Sequence, residues 1–221
     1  MTKTTAGRPS DAADERAHAA LVADLSRLVR QVLFDAVVHI GGGDDGTDEP
    51  ALTVERAHEP VAPARLAAAH PNPARAEARA LYERCLAHYR QVLRAEQADA
   101  GVDDVGAAVA HFVAANMQAL HGMAVTAPML LRLERQLSGV ARLSSAWTTA
   151  SARDRQLYFE KMAILAVLVG ESSAQAVLQG PAAVSNVRRA ARGYLRELLG
   201  LDPQQLTLGT DGLRMRPVDE A

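Results

Sequence analysis

The chain has 221 residues, 48% of them hydrophobic and 23% charged, a composition typical of a globular protein rather than a disordered or fibrous one. Its net charge of −2 at pH 7 favours neither nucleic acid nor an anionic membrane as a partner. A single cysteine, Cys85, excludes an internal disulfide and a thiolate metal cluster. Aromatic residues make up only 4%, so the core must be rich in Ala, Leu and Val, which favours helices over sheets.

The N-terminal region is predicted to contain one amphipathic helix after a short disordered lead. Residues 1–9 carry no apolar pattern, whereas residues 10–40 place leucines at spacings of four and three on one helical stripe. The chain starts without the apolar stretch of a signal peptide. The longest apolar run, Met162–Val169, is shorter than the ~20 residues of a membrane span. We therefore expect a cytoplasmic protein without a transmembrane segment.

Residues 41–72 are predicted to be a flexible linker. The stretch GGGDDGTDEP combines glycines, acids and a proline, and further prolines follow as far as residue 73. Only one short helical turn is expected there, near Arg65–Ala69. Helical periodicity then runs from residue 73 to residue 200, which predicts the core domain.

Capping residues predict where the helices of the core domain begin and end. The first two helices are expected to run from Asn72 and Pro73 to Gly101, and from Asp103 or Asp104 to Gly122. Thr126 and Pro128 should begin the third helix, and Ser151 and Asp154, as a capping box, the fourth, which Gly170 should interrupt. The last helix is expected over 182–199 and should stop at Gly200. The expected fold class is all-α, a single orthogonal bundle of six to seven helices. The tail, 201–221, alternates weakly around Gly209–Gly212, as a small β-hairpin would.

Asn116 lies at the centre of an apolar helix face. At about 100° per residue it falls within roughly 60° of Val109, Phe112 and Leu120, while His111 falls on the opposite side. An unpaired buried amide costs about 1–3 kcal/mol, so Asn116 should have a hydrogen-bond partner. The amide either orients a ligand in a pocket or ties its helix to a neighbour, and the second use is the more common.

Glu160 raises the same question on another helix. The stretch Phe159–Val169 is apolar nearly all round, and Glu160 falls between Ala163, Ile164 and Val167 on its helical wheel. A carboxylate buried there would need a partner or would shift its pKa. The alternative, which we prefer, is that the first turns protrude beyond the core, where an acid suits a helix N-terminus.

Two further features are candidates for contact with a partner. The last long helix carries a row of arginines beside its apolar stripe, namely Arg188, Arg189, Arg192 and Arg196. Such a row either binds phosphates or an acidic partner, or borders the core in solvent. Trp147, the only tryptophan, would be a recognition anchor on an exposed loop and a cover for the core if buried.

No motif predicts a catalytic centre, a metal site or a cofactor. The histidines include no H-E-x-x-H and no pair at i, i+4 spacing. Met117 and His121 do have that spacing, but a methionine at helical spacing usually belongs to a core. The chain also lacks G-x-S-x-G, a P-loop and G-x-G-x-x-G.

The C-terminal half resembles a family of bacterial helical proteins of unknown function. The resemblance rests on VDDVGAAVAHFVAANMQALHG, DRQLYFEKMAILAVLVG and ARGYLRELLGLDPQQLTLGTDGL, which combine an Asn in an Ala-rich helix, an apolar helix after a Tyr-x-Glu start and a closing Leu-Gly-x-x-Pro. The resemblance implies a helical fold and no activity. It also implies that similar proteins often begin with an export signal, which this chain lacks.

These observations favour a non-enzymatic helical interaction or accessory protein that uses an amphipathic helix to contact a protein partner. The alternative is a small-ligand-binding or hydrolytic helical domain centred on Asn116 and Glu160. A helical transcription regulator also fits the length, but the glycine-rich break interrupts the place where a helix-turn-helix would continue. The composition is compatible with a homo-oligomer.

Overall fold

α-Helices account for most of the chain that the computed structural model describes, residues 52–95 and 102–216. The described helices are α1 (Ala62–Ala68), α2 (Arg75–His88), α3 (Val105–His121), α4 (Ala127–Arg142), α5 (Ser145–Thr149), α6 (Ala152–Gln179) and α7 (Pro181–Leu199). The strands are β1 (Thr53–Glu55), β2 (Val102–Asp104), β3 (Leu206–Gly209) and β4 (Gly212–Met215). The prediction of an all-α fold of six to seven helices with a small C-terminal β-hairpin is therefore confirmed. The predicted lead over 1–9 and the helix over 10–40 lie outside the described residues.

Helices α3 and α6 form the centre of the core. The Ala-rich α3 buries most of its side chains, and it packs along α6, α4 and α7. Gly106 allows a close approach to α4, because a Cβ at that position would overlap the Oγ of Ser138. The ends of α3 are as predicted: the Asp104 Oδ1 accepts a hydrogen bond from the Ala107 N–H at 2.7 Å, and Gly122 adopts a φ of 67° at the C-cap.

α6 is one continuous helix, contrary to the interruption predicted at Gly170. Ser151 caps the start of α6 and pairs with Asp154: the Ser151 Oγ accepts from the Asp154 N–H at 3.1 Å, and the same hydroxyl donates to the Asp154 carboxylate at 2.6 Å. Gly170 then continues the helix, because one glycine in a long helix costs only about 1 kcal/mol relative to alanine and packing outweighs it. Among the described helices, α6 alone has the length and composition of a membrane span, a property that buried core helices share.

The linker predicted for 41–72 is wrong over residues 52–72, which contain regular structure, and its residues 41–51 lie outside the described residues. β1 pairs antiparallel with β2, in a register that places Val54 opposite Asp103. Leu52 and Val54 are buried, as is Ala62 at the start of α1. Prolines in this segment suggested an irregular chain. Pro63, however, lies in the first turn of α1, where a helix tolerates proline.

The helix predicted to start at Asn72 differs in its details. A 3₁₀ turn, Asn72–Ala74, precedes α2, and the Asn72 side chain does not serve as its cap. At its other end α2 continues into a π-helical segment, Tyr89–Leu93. This widened segment contains Arg90, whose side chain pairs with Asp103.

The C-terminal tail belongs to the core domain rather than lying outside it. A 3₁₀ turn, Pro203–Gln205, leads into the β3–β4 hairpin, whose Leu206 and Leu213 side chains are buried. Gln136 of α4 holds the hairpin with two hydrogen bonds, donating to the Leu213 carbonyl and accepting from the Leu213 N–H, both at 2.9 Å. The core domain thus extends beyond the predicted limit at residue 200.

Candidate functional site

Asn116 is fully buried in α3, as its place on the apolar face predicts. Its Nδ2 donates to the Phe112 carbonyl one turn earlier in the same helix, at 2.8 Å. Its Oδ1 is buried and finds no hydrogen-bond partner among the described residues. The expectation of a partner is therefore met for one of its two polar atoms. Because this bond stays within α3, Asn116 makes no hydrogen bond to another helix among the described residues.

Glu160 is also fully buried, so the preferred interpretation of a protruding first turn is wrong. Its Oε2 accepts hydrogen bonds from the backbone N–H groups of Val61 and Ala62, at 2.7 and 2.8 Å. Its Oε1 accepts from the Gln156 Nε2 at 2.8 Å. The carboxylate thus caps the start of α1, which satisfies N–H groups that a helix leaves unpaired at its first turn. β1 and α1, which lie in the segment predicted to be a linker, cover Glu160.

Arg90 connects Glu160 to the β1–β2 pair. Its Nη2 lies 2.6 Å from the Asp103 Oδ2 and 3.8 Å from the Glu160 Oε1, and its guanidinium stacks over the Phe159 ring. Arg56 approaches the same Asp103 carboxylate at 3.1 Å. Sequence analysis named neither arginine, because the pairing joins segments far apart in the chain. With its oxygens occupied by protein donors, the carboxylate of Glu160 joins α6 to the start of α1, and Arg90 links it to Asp103 of β2.

Asn116 lies on α3 and Glu160 on α6. No hydrogen bond links them within the described part of the chain, and each has separate partners. Because both side chains are fully buried, a substrate could not reach either of them. The hydrolytic alternative that was centred on these two residues gains no support from this arrangement.

The arginine row of α7 has a different setting, at the rim of a cleft of about 390 Å³. Arg188, Arg189 and Arg192 line it, together with His121 at the end of α3 and Gln204 of the 3₁₀ turn. Among the described residues that line this basic cleft, none is acidic. Arg196, the fourth member of the predicted row, is exposed on α7 but does not line the cleft.

His121 contributes a buried polar atom to the basic cleft. Its Nε2 is shielded from solvent and has no hydrogen-bond partner in the part of the chain that the structure describes. The pKa of His121 is lowered mainly by burial and further by the positive charges of Arg216 and Arg192, against a hydrogen bond to the backbone of Pro203 that raises it. The histidine therefore favours its neutral form next to a cluster of cations. Sequence analysis considered His121 only as a partner of Met117, since no local pattern links it to α7.

Trp147 is fully buried, so it covers the core and is not available as an exposed recognition anchor. The short helix α5 holds it there: the Ser144 Oγ accepts from the Trp147 N–H at 3.0 Å. The Arg155 guanidinium lies 5.2 Å from the ring centroid, and its Nε donates to the Trp147 carbonyl. Partner contact through this ring would require the helix ends around it to open.

No group of three or more His, Cys, Asp or Glu side chains suited to a metal ion occurs in the described residues.

Comparison with known proteins gives one finding. A family model described as a family of unknown function (DUF6683) matches residues 6–216. No curated protein and no solved structure matches the chain. The match extends over nearly the whole chain rather than the C-terminal half alone, and the protein is therefore a member of this family of unknown function.

Proposed function

We propose that this protein is a non-enzymatic interaction protein that binds an acidic segment of a partner protein in the basic cleft. The proposal rests on the position and the pairing of three guanidinium groups, those of Arg188, Arg189 and Arg192. They converge on one concave surface, and within the described residues none has a carboxylate partner.

The contrast with other arginines strengthens this interpretation. Arg90 pairs with Asp103, Arg94 with Glu134 and Arg79 with Glu83. Arginines that merely border a core gain from such pairing, because a planar guanidinium binds a carboxylate through two parallel hydrogen bonds. The cleft arginines retain this capacity for a ligand from outside the described chain.

The position of the cleft helps to explain why its arginines have no carboxylate partner among the described residues. It lies at the C-terminal end of α3, where Arg188 approaches Gly122, and α-helix C-termini carry partial negative charge. This dipole offsets part of the repulsion among the arginines without occupying their donors. A flexible acidic peptide can reach three such groups and Gln204 together, whereas a lone surface arginine gives little affinity.

The test measures binding of a fluorescein-labelled polyglutamate peptide by anisotropy at low salt. In the variant Arg188→Glu/Arg192→Glu, affinity should fall by at least about tenfold, since each lost charge-assisted hydrogen bond is worth roughly 1.5–3 kcal/mol. The matched control is Arg84→Glu/Arg153→Glu, which makes the same change in net charge at two exposed positions away from the cleft.

Equal loss in both variants would mean that the peptide responds to overall charge alone, and the proposal would be wrong. Retained affinity in the Arg188→Glu/Arg192→Glu variant would also contradict it. Affinity of the native protein should fall as salt rises from 50 mM to about 300 mM, because the contacts are only partly shielded from screening ions.

A further inference from the structure

A second cavity, with a volume of about 300 Å³, lies between α1, α2, α6 and α7. Its apolar walls come from residues distant in sequence, among them Leu66, Met162, Leu165, Leu168 and Leu198. Leu66, Leu165 and Leu168 are only partly buried, so apolar surface at the cavity stays uncovered. Small-molecule sites share this character, an apolar concavity with a few polar groups at defined positions, and the volume is at the small end of their range.

Aromatic side chains are concentrated at this cavity. The whole chain has only eight of them, three Phe, four Tyr and one Trp. Four of the eight line the cavity, namely Tyr82, Phe112, Tyr158 and Tyr194. The rings of Phe112 and Tyr194 lie edge to face, with their centroids 6.2 Å apart. Aromatic rings prefer such edge-to-face or offset contacts with one another, so these walls suit an aromatic ligand better than an aliphatic one.

The charged side chains of the cavity oppose each other. Lys161 of α6 and Glu197 of α7 both line it, one cation and one anion. Burial lowers the pKa of the Lys161 ammonium, the charge of Glu197 raises it, and Arg65 lowers it. A ligand with a net charge of either sign would be attracted by one member of this pair and repelled by the other. The described lining therefore favours an uncharged ligand.

Tyr194 supplies a hydrogen-bonding group for an uncharged ligand. His70 and Tyr82 also line the cavity, but they hydrogen-bond to each other at 2.8 Å. The hydroxyl of the half-buried Tyr194 has no hydrogen-bond partner among the described residues. Because a tyrosine hydroxyl both donates and accepts, it can bind one neutral polar group of a ligand.

We propose that this cavity binds a small uncharged aromatic molecule that carries one neutral hydrogen-bonding group. Its rings lie against Phe112 and Leu165, and its polar group bonds to the hydroxyl of Tyr194. Such a ligand covers apolar surface that is otherwise open to solvent, and it brings no charge next to Lys161 and Glu197. This site is separate from the basic cleft and does not rest on the function proposed for that cleft.

The test is equilibrium dialysis of the full-length chain at about pH 7.5 against 2-naphthol and three relatives, each of which changes one of its features. 2-Naphthol should bind about fivefold more tightly than naphthalene, which lacks the hydroxyl and thus one hydrogen bond. It should bind at least about threefold more tightly than 2-decalol, which lacks the aromatic rings. It should also bind at least about tenfold more tightly than 2-naphthoate, which is charged.

Tyr194→Phe removes the hydroxyl and keeps the ring. It should bring 2-naphthol down to the affinity of naphthalene and leave the affinity of naphthalene unchanged. The matched control is Tyr89→Phe, the same change at a buried tyrosine that does not line the cavity, and it should alter neither affinity. The same loss of 2-naphthol affinity in both variants would overturn the proposal, as would native protein that binds naphthalene, 2-decalol or 2-naphthoate as tightly as 2-naphthol.

Leu165→Trp fills the cavity and should abolish binding of 2-naphthol. Its matched control is Leu131→Trp, the same substitution at a position on α4 that is 50% exposed and does not line the cavity. Thermal unfolding by circular dichroism identifies a variant that fails to fold, and methyl chemical shifts of Leu165 and Leu198 in the native protein then report binding directly. Native affinity in a folded Leu165→Trp variant, or a lack of methyl shifts on addition of 2-naphthol, would contradict the site.

Discussion

Two fully buried polar side chains, Glu160 and Asn116, differ in how many of their polar atoms are hydrogen-bonded. Glu160 uses both carboxylate oxygens, and its partners come from three separate segments of the chain. Within the described part of the chain, Asn116 bonds only through its Nδ2, and its partner is a carbonyl of its own helix. Satisfied buried charges are costly to disturb, whereas an orphan polar atom already costs free energy. The two residues should therefore respond to substitution in opposite directions.

For Glu160 we expect a large loss of stability on conversion to glutamine. Glu160→Gln keeps the shape but replaces one acceptor oxygen with a donor that faces the N–H groups of Val61 and Ala62 or the amide of Gln156. The free energy of unfolding should fall by about 2–4 kcal/mol, measured by urea denaturation. The control, Glu83→Gln, breaks a largely exposed pair with Arg79 and should change stability little. A loss in Glu160→Gln no larger than in the control would contradict the structural role.

For Asn116 we expect a gain. Asn116→Leu preserves the branching of the side chain and removes a buried oxygen that has no partner among the described residues, so the free energy of unfolding should rise by about 1 kcal/mol. Asn116→Asp places a charge in the same position and should destabilise the protein strongly. Thermal and urea unfolding measure both variants. If Asn116→Leu instead lost stability, the Oδ1 would have a partner outside the described residues.

At the scale of single elements, the helix ends show how local signals differ in strength. Asp104 and Ser151 occupy the N-cap positions of α3 and α6 and accept the expected backbone hydrogen bonds. Thr126 occupies the same position in α4, yet its side chain makes no capping hydrogen bond. The residue type thus predicts where a helix begins, while the actual bond depends on the side-chain rotamer.

This difference predicts unequal costs for the same kind of substitution. Asp104→Ala should lower the free energy of unfolding by about 1 kcal/mol, since the Ala107 N–H would lose its acceptor. Thr126→Ala should cost clearly less, because α4 loses no capping bond. Urea denaturation of the two variants in parallel measures the difference. Equal losses would show that the caps contribute through propensity rather than through hydrogen bonds.

At the scale of the whole molecule, packing sets the response to pH. Burial is the largest influence on His111 and lowers its pKa below the ordinary 6.5, with Arg94 acting in the same direction and a hydrogen bond to the Ala107 backbone opposing it. His121 is lowered as well. A histidine with a lowered pKa binds fewer protons in the folded than in the unfolded chain. Its contribution to stability is therefore complete above about pH 6.5 and is lost as the pH falls below that value.

We expect the free energy of unfolding to decrease between pH 7.5 and pH 5.5, and His111→Gln to reduce this dependence. His88→Gln, a substitution of an exposed histidine on α2, is the matched control and should leave the pH dependence unchanged. Urea denaturation at several pH values provides the measurement. An unchanged pH profile in His111→Gln would show that the ring is accessible to protons in the folded protein.

The amino-acid sequence by itself determined the helical class and most helix ends, because periodicity and capping act over a few neighbouring residues. Asp104, Gly122, Ser151 and Gly200 all lie where the local pattern indicates. The same reasoning placed Asn116 in the core, since α3 is long enough for its apolar face to be read directly.

Only the tertiary structure decided which polar groups meet. Glu160 is buried because Val61 and its neighbours, 99 positions earlier in the chain, fold over it. β1 pairs with β2 across about half that separation, with Val54 opposite Asp103. His121 joins the arginines of α7 because α3 and α7 pack side by side. Such pairings depend on how whole elements pack, and no pattern within a few residues encodes the burial of a charge or the shape of a cleft.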